Sequence, residues 1–191
     1  DSNVVINDIK INSKEVKEGD LFICTMGVNA DRHDFIDDAI KNGAAAIVVS
    51  KDVGEKNVPI IKVSNTNKEL PLLCARFYDN PQDKLTIIGV TGTDGKTSVS
   101  TIIQTLLGKE NCGYIGTNGR SCAKFNLETS NTTPDADKLY KYFNEFVLAG
   151  CKYVVMEASS EAFFRGRLAD LVFDSSVLTN VTSEHLNIHK T

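Results

Sequence analysis

No two of the five cysteines, Cys24, Cys74, Cys112, Cys122 and Cys151, stand in a C-x-x-C pair, and their number is odd. That scatter excludes a disulfide framework and a cysteine-built zinc site. Cys24 and Cys151 lie in or beside apolar strand-like segments, where a buried thiol is expected, and a reducing cytoplasm suits the set. Long apolar runs are missing as well. The longest, Ala44 to Val49, falls far short of a membrane span, and no basic segment followed by an apolar stretch marks a secretory signal. Nor is positive charge in excess: 21 Lys and Arg face 25 Asp and Glu, for a net charge of -4. This balance excludes a generally basic nucleic-acid binder and leaves room only for a local patch that holds phosphate. Neither nucleic acid nor a membrane is expected as a partner. Repeats and low-complexity tracts are absent too. What remains is globular composition, 41% hydrophobic and 24% charged over 191 residues, enough for one domain or two small ones.

Strand and helix signals alternate along the chain. Val4 to Ile6 and Leu21 to Cys24 read as strands, followed by a helix from Asp34 to Lys41 that Asn42-Gly43 stops. Apolar strands are expected at Ala44 to Val49 and Ile60 to Val63. Asn65-Thr66 then caps a helix that ends at Tyr78-Asp79-Asn80-Pro81, because the residue before proline is pushed out of the helical region. A domain boundary is placed here, giving domains 1–82 and 83–191. The second half opens with a continuous apolar strand, Leu85 to Val90, suited to a sheet buried on both faces. Lys96 to Leu107 is expected as a helix with Val99, Ile102, Ile103 and Leu106 on its inner stripe. Tyr114 to Gly116 reads as a strand, and Asn118 to Glu128 as a hairpin or loop. Thr132-Thr133-Pro134-Asp135 reads as a helix start with a hydroxyl cap, and Leu139, Phe143, Phe146 and Val147 follow up to Gly150. Further strands are expected at Tyr153 to Met156 and Leu171 to Leu178. The rhythm is that of an α/β fold with a parallel sheet and right-handed crossovers.

The most informative stretch is Gly89-Val90-Thr91-Gly92-Thr93-Asp94-Gly95-Lys96-Thr97. Glycines let backbone N–H groups approach phosphate oxygens, and the following helix points its positive end at them. Lys96 would supply a point charge to the phosphates, and the Thr97 hydroxyl is placed for Mg²⁺. The strict nucleotide-loop pattern asks for glycine where Val90 stands, so the loop is a variant in which Gly92 makes the turn. Glu157, directly after the apolar run Tyr153 to Met156, is the natural acidic metal partner, because ligands gather at the carboxyl edge of such sheets. An ordinary strand-to-helix turn and a merely solvated glutamate are the competing interpretations.

Taken together, the chain resembles the Mur ligase family over nearly its whole length, and within it the branch that adds the third amino acid to UDP-MurNAc-L-Ala-D-Glu. Ile11-Asn12-Ser13-Lys14, Gly19-Asp20-Leu21-Phe22 and Gly27-Val28-Asn29-Ala30-Asp31 resemble the uridine-binding N-terminal domain. Thr91 to Thr97 resembles the ATP loop, Asn131-Thr132-Thr133-Pro134 the segment that holds the muramoyl-peptide, and Met156 to Ser160 with Arg167 the next substrate and metal segment. Thr179 to Leu186 resembles the segment whose histidine binds a second Mg²⁺.

The resemblance implies a small uridine-binding α/β domain followed by part of a P-loop-type ATP-binding domain. It implies an ATP-dependent ligase that makes an acyl phosphate and then an amide with a free, diamino-type amino acid. Catalytic roles would fall to Lys96, Glu157 and His185, and ATP binding to Gly92, Thr93, Asp94, Gly95, Lys96, Thr97 and Ser98. Substrate would meet Ile11, Ser13, Asn29, Ala30, Asn131, Thr132, Thr133, Ser159 and Arg167, and Mg²⁺ would meet Thr97, Glu157 and His185. Phosphoryl transfer needs mainly positioning and charge neutralisation, so three histidines suffice.

Departures from the family pattern are local. Asn12 and Lys14 replace a usual Asp and Arg, and Glu161 replaces a usual His. Asp94 replaces a usual Asn and is expected to point away from the phosphates or to cap the next helix. The chain lacks an initial Met and ends at Thr191, before the family's carbamylated lysine and third domain. It is therefore expected to be an inactive fragment of a longer enzyme, with an open sheet edge. A sister enzyme, such as the dipeptide-adding Mur ligase or folylpolyglutamate synthetase, and a non-catalytic UDP-sugar or nucleotide-binding module are the alternatives.

Overall fold

A computed structural model describes residues 3–27 and 30–183. The chain divides into two units, 1–74 and 75–191. In the first, four parallel strands stand in the order β1 (Ile9–Lys10), β2 (Leu21–Ile23), β3 (Ala46–Val49) and β4 (Ile60–Lys62). Helix α1 (Ile36–Lys41) follows a 3-10 turn over Arg32–Phe35 and buries Ile36 and Ala39 against Phe22, Cys24, Ile47 and Val49. The expected first strand at Val4 to Ile6 does not form. Val5 is 81% exposed, and β-branched residues hold an extended ladder only where a neighbouring strand and a packed face reward it. Pairing starts instead at Ile9, whose N–H is met by the Asp8 carboxylate at 2.8 Å.

Helix α2 (Thr66–Phe77) begins as the sequence suggests, with the Asn65 side chain accepting from the N–H groups of Asn67 and Lys68. Beyond α2, Asp79 and Asn80 both take positive φ ahead of Pro81, which closes off the helix.

The second unit is built on a six-stranded sheet. Its spatial order is β10 (Ser175–Leu178), β5 (Thr86–Thr91), β9 (Tyr153–Glu157), β6 (Cys112–Gly116), β7 (Gly119–Cys122) and β8 (Phe125–Leu127). The first four run parallel, while β6, β7 and β8 form an antiparallel meander, so the expected hairpin at Asn118 to Glu128 is present. The last strand is shorter than the expected Leu171 to Leu178, with Val172 left 79% exposed.

Helix α3 (Lys96–Leu107) covers one face of the sheet and α4 (Ala136–Ala149) contributes a row of buried aromatics. The inner stripe of α3 is Val99, Ser100, Ile103, Gln104 and Leu107, not the expected Val99, Ile102, Ile103 and Leu106. Ile102 and Leu106 are 57% and 80% exposed. Of the polar residues turned inward, Gln104 donates to the carbonyls of Cys112 and Ser121 at 3.1 and 2.9 Å, while Ser100 Oγ has no hydrogen-bond partner among the described residues. At α4 the cap position belongs to Asp135 without a side-chain cap bond, so Thr132 and Thr133 do not cap it. Gly150, at φ 87°, closes that helix with its N–H on the carbonyls of Phe146 and Val147.

Phe146 is fully buried, lies against the bare backbone of Gly113 and stacks on Phe125 at 5.4 Å. Phe146→Ala should cost about 3–5 kcal/mol in urea unfolding of the second unit. All five cysteines are buried and no disulfide joins them. Burial, aided by the Asp31 carboxylate, pushes the Cys24 thiol up to about 12, and burial pushes Cys112 to about 11. Native protein at pH 8 should therefore be inert to an aromatic disulfide reagent, with five thiols released only on denaturation.

Candidate active site

Strand β5 hands the chain to a loop at 92–95, and α3 starts directly after it. Gly92 sits at φ 131°, and a Cβ there would overlap Thr179 and Asn180 just beyond β10. The same two residues clamp the loop. Thr93 N–H donates to Asn180 O at 3.0 Å and Asp94 N–H to Asn180 Oδ1 at 3.0 Å, while Thr179 Oγ1 and Asn180 Nδ2 donate to Asp94 O. Gly95, also at positive φ, occupies the cap position of α3 with no side-chain cap bond. The first-turn N–H groups thus lack a capping side chain, the arrangement that favours an anion. Asp94 does not cap α3, and its exposed side chain stands at the cavity described below. Lys96 Nζ donates to the loop carbonyls of Gly92 and Thr93 at 2.6 and 2.7 Å.

Glu157 is the last residue of β9 and is fully buried. Its Oε1 accepts from Tyr114 Oη at 2.5 Å and Thr117 N–H at 3.1 Å. Its Oε2 accepts from Thr97 Oγ1 at 3.0 Å and Thr117 Oγ1 at 3.1 Å. Burial, together with the bond to Glu157, pushes the Tyr114 phenol well above its ordinary range. A buried carboxylate held by neutral donors, with a threonine hydroxyl beside it, fits a hard divalent cation. Mg²⁺ takes one or two protein oxygens and fills its other positions with water and phosphate. Among the described residues no group of three or more His, Cys, Asp or Glu could hold a metal.

Across from the loop, Thr133 Oγ1 donates to the Glu157 carbonyl at 2.9 Å and accepts from Ser159 N–H at 3.0 Å. Ser159 Oγ caps the short helix α5 (Ser160–Phe164) through Ala162 N–H. Arg167 Nη1 donates to Thr133 O at 3.2 Å, and its Nε lies 2.8 Å from Asp135 Oδ1, an ion pair whose N–H is not aimed at the oxygen. Glu161 pairs with Arg165 at 2.6 Å.

A cavity of about 520 Å³ collects most of the predicted residues. Thr93, Asp94, Gly95, Lys96 and Thr97 line it from the loop side, and Asn131, Thr132, Thr133, Ser159 and Arg167 from the other, with Glu157 in its wall. Gly92 and Ser98 do not line it; Ser98 faces solvent on α3. His185 lies outside the described residues, as does Asn29 with its neighbour Val28.

The first unit holds the remaining predicted contacts. Ile11 and Ser13 are buried, at 5% and 7% exposure, and Ala30 is exposed. Asn12 accepts from Lys14 N–H and so caps a 3-10 turn. Near Ala30, Gly27 N–H donates to Ala30 O, and Asn67 clamps Met26 through both backbone groups. The Lys51 ammonium and the His33 backbone N–H hold the neighbouring Asp31 carboxyl well below the usual carboxylate range.

Sequence reasoning missed Tyr114, Thr117 and Ser130. Only their places hint at a role: Tyr114 and Thr117 flank the carboxyl end of β6, the parallel neighbour of β9. Ser130 precedes a segment already singled out.

Residues 90–191 match the family model of the Mur ligase middle domain, and residues 5–78 that of the Mur ligase family catalytic domain. The chain belongs to the Mur ligase family. It is similar to the UDP-N-acetylmuramoyl-L-alanyl-D-glutamate--2,6-diaminopimelate ligases of Clostridium perfringens and Bacillus cereus. The first is 38% identical over 97% of this chain and the second 41% over 99%. In each case the chain spans 39% of the relative's length. Among solved structures, a UDP-N-acetylmuramoyl-L-alanyl-D-glutamate--2,6-diaminopimelate ligase shares the fold, with a TM-score of 0.73 at 24% identity over 95% of this chain and 37% of its own. The MurF ligase of Thermotoga maritima, solved with ADP, reaches a TM-score of 0.67 at 28% identity over 100% of this chain and 41% of its own. The α/β architecture anticipated for a Mur ligase is thus the one present.

Gly116 lies beside Glu157, and a Cβ there would overlap both the Glu157 carboxylate and the Tyr114 hydroxyl. Gly116→Ala should cost about 1–3 kcal/mol by overpacking. Thermal unfolding of the variant checks it, and an unchanged midpoint would contradict the close approach.

Proposed function

We propose that the chain is the N-terminal and central part of an ATP-dependent ligase that joins a free diamino acid to UDP-MurNAc-L-Ala-D-Glu in peptidoglycan synthesis, in the cytoplasm. Residues 1–82 would serve the UDP end of the substrate and 83–191 would hold ATP. The observation that carries the proposal is one cavity that joins a glycine-rich loop at an uncapped helix start, a buried carboxylate and a second wall of hydroxyls with an arginine. The names of relatives 38–41% identical over nearly the whole chain support the choice of substrate.

The chemistry of the proposal follows from charge. A triphosphate and a substrate carboxylate repel one another, and neutralising both is the main task. Lys96 would leave the loop carbonyls for the phosphates, and the uncapped first turn of α3 would add its N–H groups. Thr97 and Glu157 would hold Mg²⁺, which supplies charge neutralisation and orientation to the phosphates when bound. His185 is proposed for a second Mg²⁺. Asn131, Thr132, Thr133, Ser159 and Arg167 would orient the muramoyl-peptide so that its carboxylate faces the transferring phosphoryl group. An amine would then displace phosphate from the acyl phosphate to form the amide. Ile11, Ser13, Asn29 and Ala30 are proposed for the uridine end.

On the full-length gene product, ADP release should require both UDP-MurNAc-L-Ala-D-Glu and a diamino acid. Release that persists without the muramoyl-peptide would refute the substrate assignment. Lys96→Ala should lower kcat by about 10²–10³-fold. Its circular dichroism and unfolding midpoint should stay close to wild type, because Lys96 bonds only to carbonyls of its own loop in the described structure.

A further inference from the structure

The two oxygens of the Glu157 carboxylate are held in different ways. Oε1 is met by the Tyr114 phenol and by the Thr117 backbone N–H, which cannot turn away. Among the described residues Oε2 is met only by two threonine hydroxyls, from Thr97 and Thr117, whose hydrogens rotate freely. Thr117 Oγ1 has another partner within reach, Thr132 Oγ1 at 3.2 Å. One edge of the carboxylate is therefore fastened and the other can be released.

The fastening is built into the sheet. In β6 and β9, Tyr114 lies opposite Val155, so Tyr114 and Glu157 share the face covered by α3. The tyrosine ring is 3% exposed and packs with Val90, Cys112 and Val155, which aims its hydroxyl along the strand at the end of β9. Gly116 is the next residue of β6 on that face, and its missing side chain leaves the room that the phenol and the carboxylate share. The phenol also accepts from Asn118 N–H at 3.3 Å, which orients its own hydrogen toward Glu157.

We infer that Tyr114 is a positioning residue, which together with Thr117 N–H occupies Oε1 of Glu157 so that Oε2 alone is presented to a divalent cation beside Thr97. When a cation takes Oε2, the Thr97 oxygen turns a lone pair to it and the Thr117 hydrogen swings to Thr132. The cation site is thereby linked to the hydroxyl wall on the far side of the cavity. No covalent step is involved. The inference rests on the proposed use of Thr97 and Glu157 as the cation site, and the test separates the two.

The probe is Mn²⁺ with ADP, followed by the electron paramagnetic resonance of free Mn²⁺, on the 191-residue chain. Tyr114→Phe keeps the ring and removes the hydroxyl. It should weaken Mn²⁺ binding about 10- to 100-fold, in the range for groups that orient a metal ligand. ADP affinity without metal should not change, a separation that a merely loosened fold would not produce. With no tryptophan in the chain, ultraviolet difference spectra report tyrosine alone. Addition of Mn²⁺ to the ADP complex should perturb that band in the wild type and much less in Tyr114→Phe. Wild-type Mn²⁺ affinity in Tyr114→Phe, alongside loss of binding in Glu157→Gln, would overturn the positioning role and leave the cation site standing. Undiminished binding in Glu157→Gln would overturn the cation site and the inference with it.

Discussion

The second unit is organised around one buried negative charge. Glu157 ends the strand next to β5, and burying a carboxylate without a compensating partner is costly by several kcal/mol. Hydrogen bonds to a charged group contribute about 1.5–3 kcal/mol each, so the donors from β6, the loop after it and α3 are what make the burial tolerable. Each comes from a different part of the fold, and so the charge ties together the elements that surround the cavity. The absence of a side chain at Gly116 follows from the same requirement.

Around this charge the remaining parts are fastened by backbone. Thr179 and Asn180 hold the loop through its own N–H and carbonyl groups, and the Thr93 hydroxyl adds bonds to the Thr182 backbone. Thr133 does the same on the opposite wall by bonding to the carbonyl of Glu157 and the N–H of Ser159. Preorganisation of this kind suits phosphoryl transfer, in which positioned charges rather than proton shuttles carry most of the rate.

Much of the fold was legible in the sequence because its signals are local. The apolar runs that became β2, β3, β5 and β9, the stops at Gly150 and Asn80-Pro81, and the Gly-Lys-Thr turn each depend on residues within a few positions. The failures are equally instructive. Periodicity alone turned Ile102 and Leu106 inward, whereas the sheet receives Ser100 and Gln104, of which Gln104 is satisfied by carbonyls of β6 and β7. Thr132 and Thr133 looked like helix caps because cap chemistry is local, yet Thr133 is spent on β9. Val4 to Ile6 had strand composition and no partner to pair with.

By itself the sequence determined the Gly-Lys-Thr turn between β5 and α3, most of the strands and helices and the acid at the end of β9, since each follows from short-range spacing and backbone preference. It also carried the family resemblance, motif by motif. Only the tertiary structure decided which hydroxyls meet that acid. Tyr114 and Glu157 are 43 residues apart, Thr97 and Glu157 60 apart, and nothing in the residues between them encodes the pairing. Strand register brings them together, and register is a property of the folded sheet, set by every packed face at once.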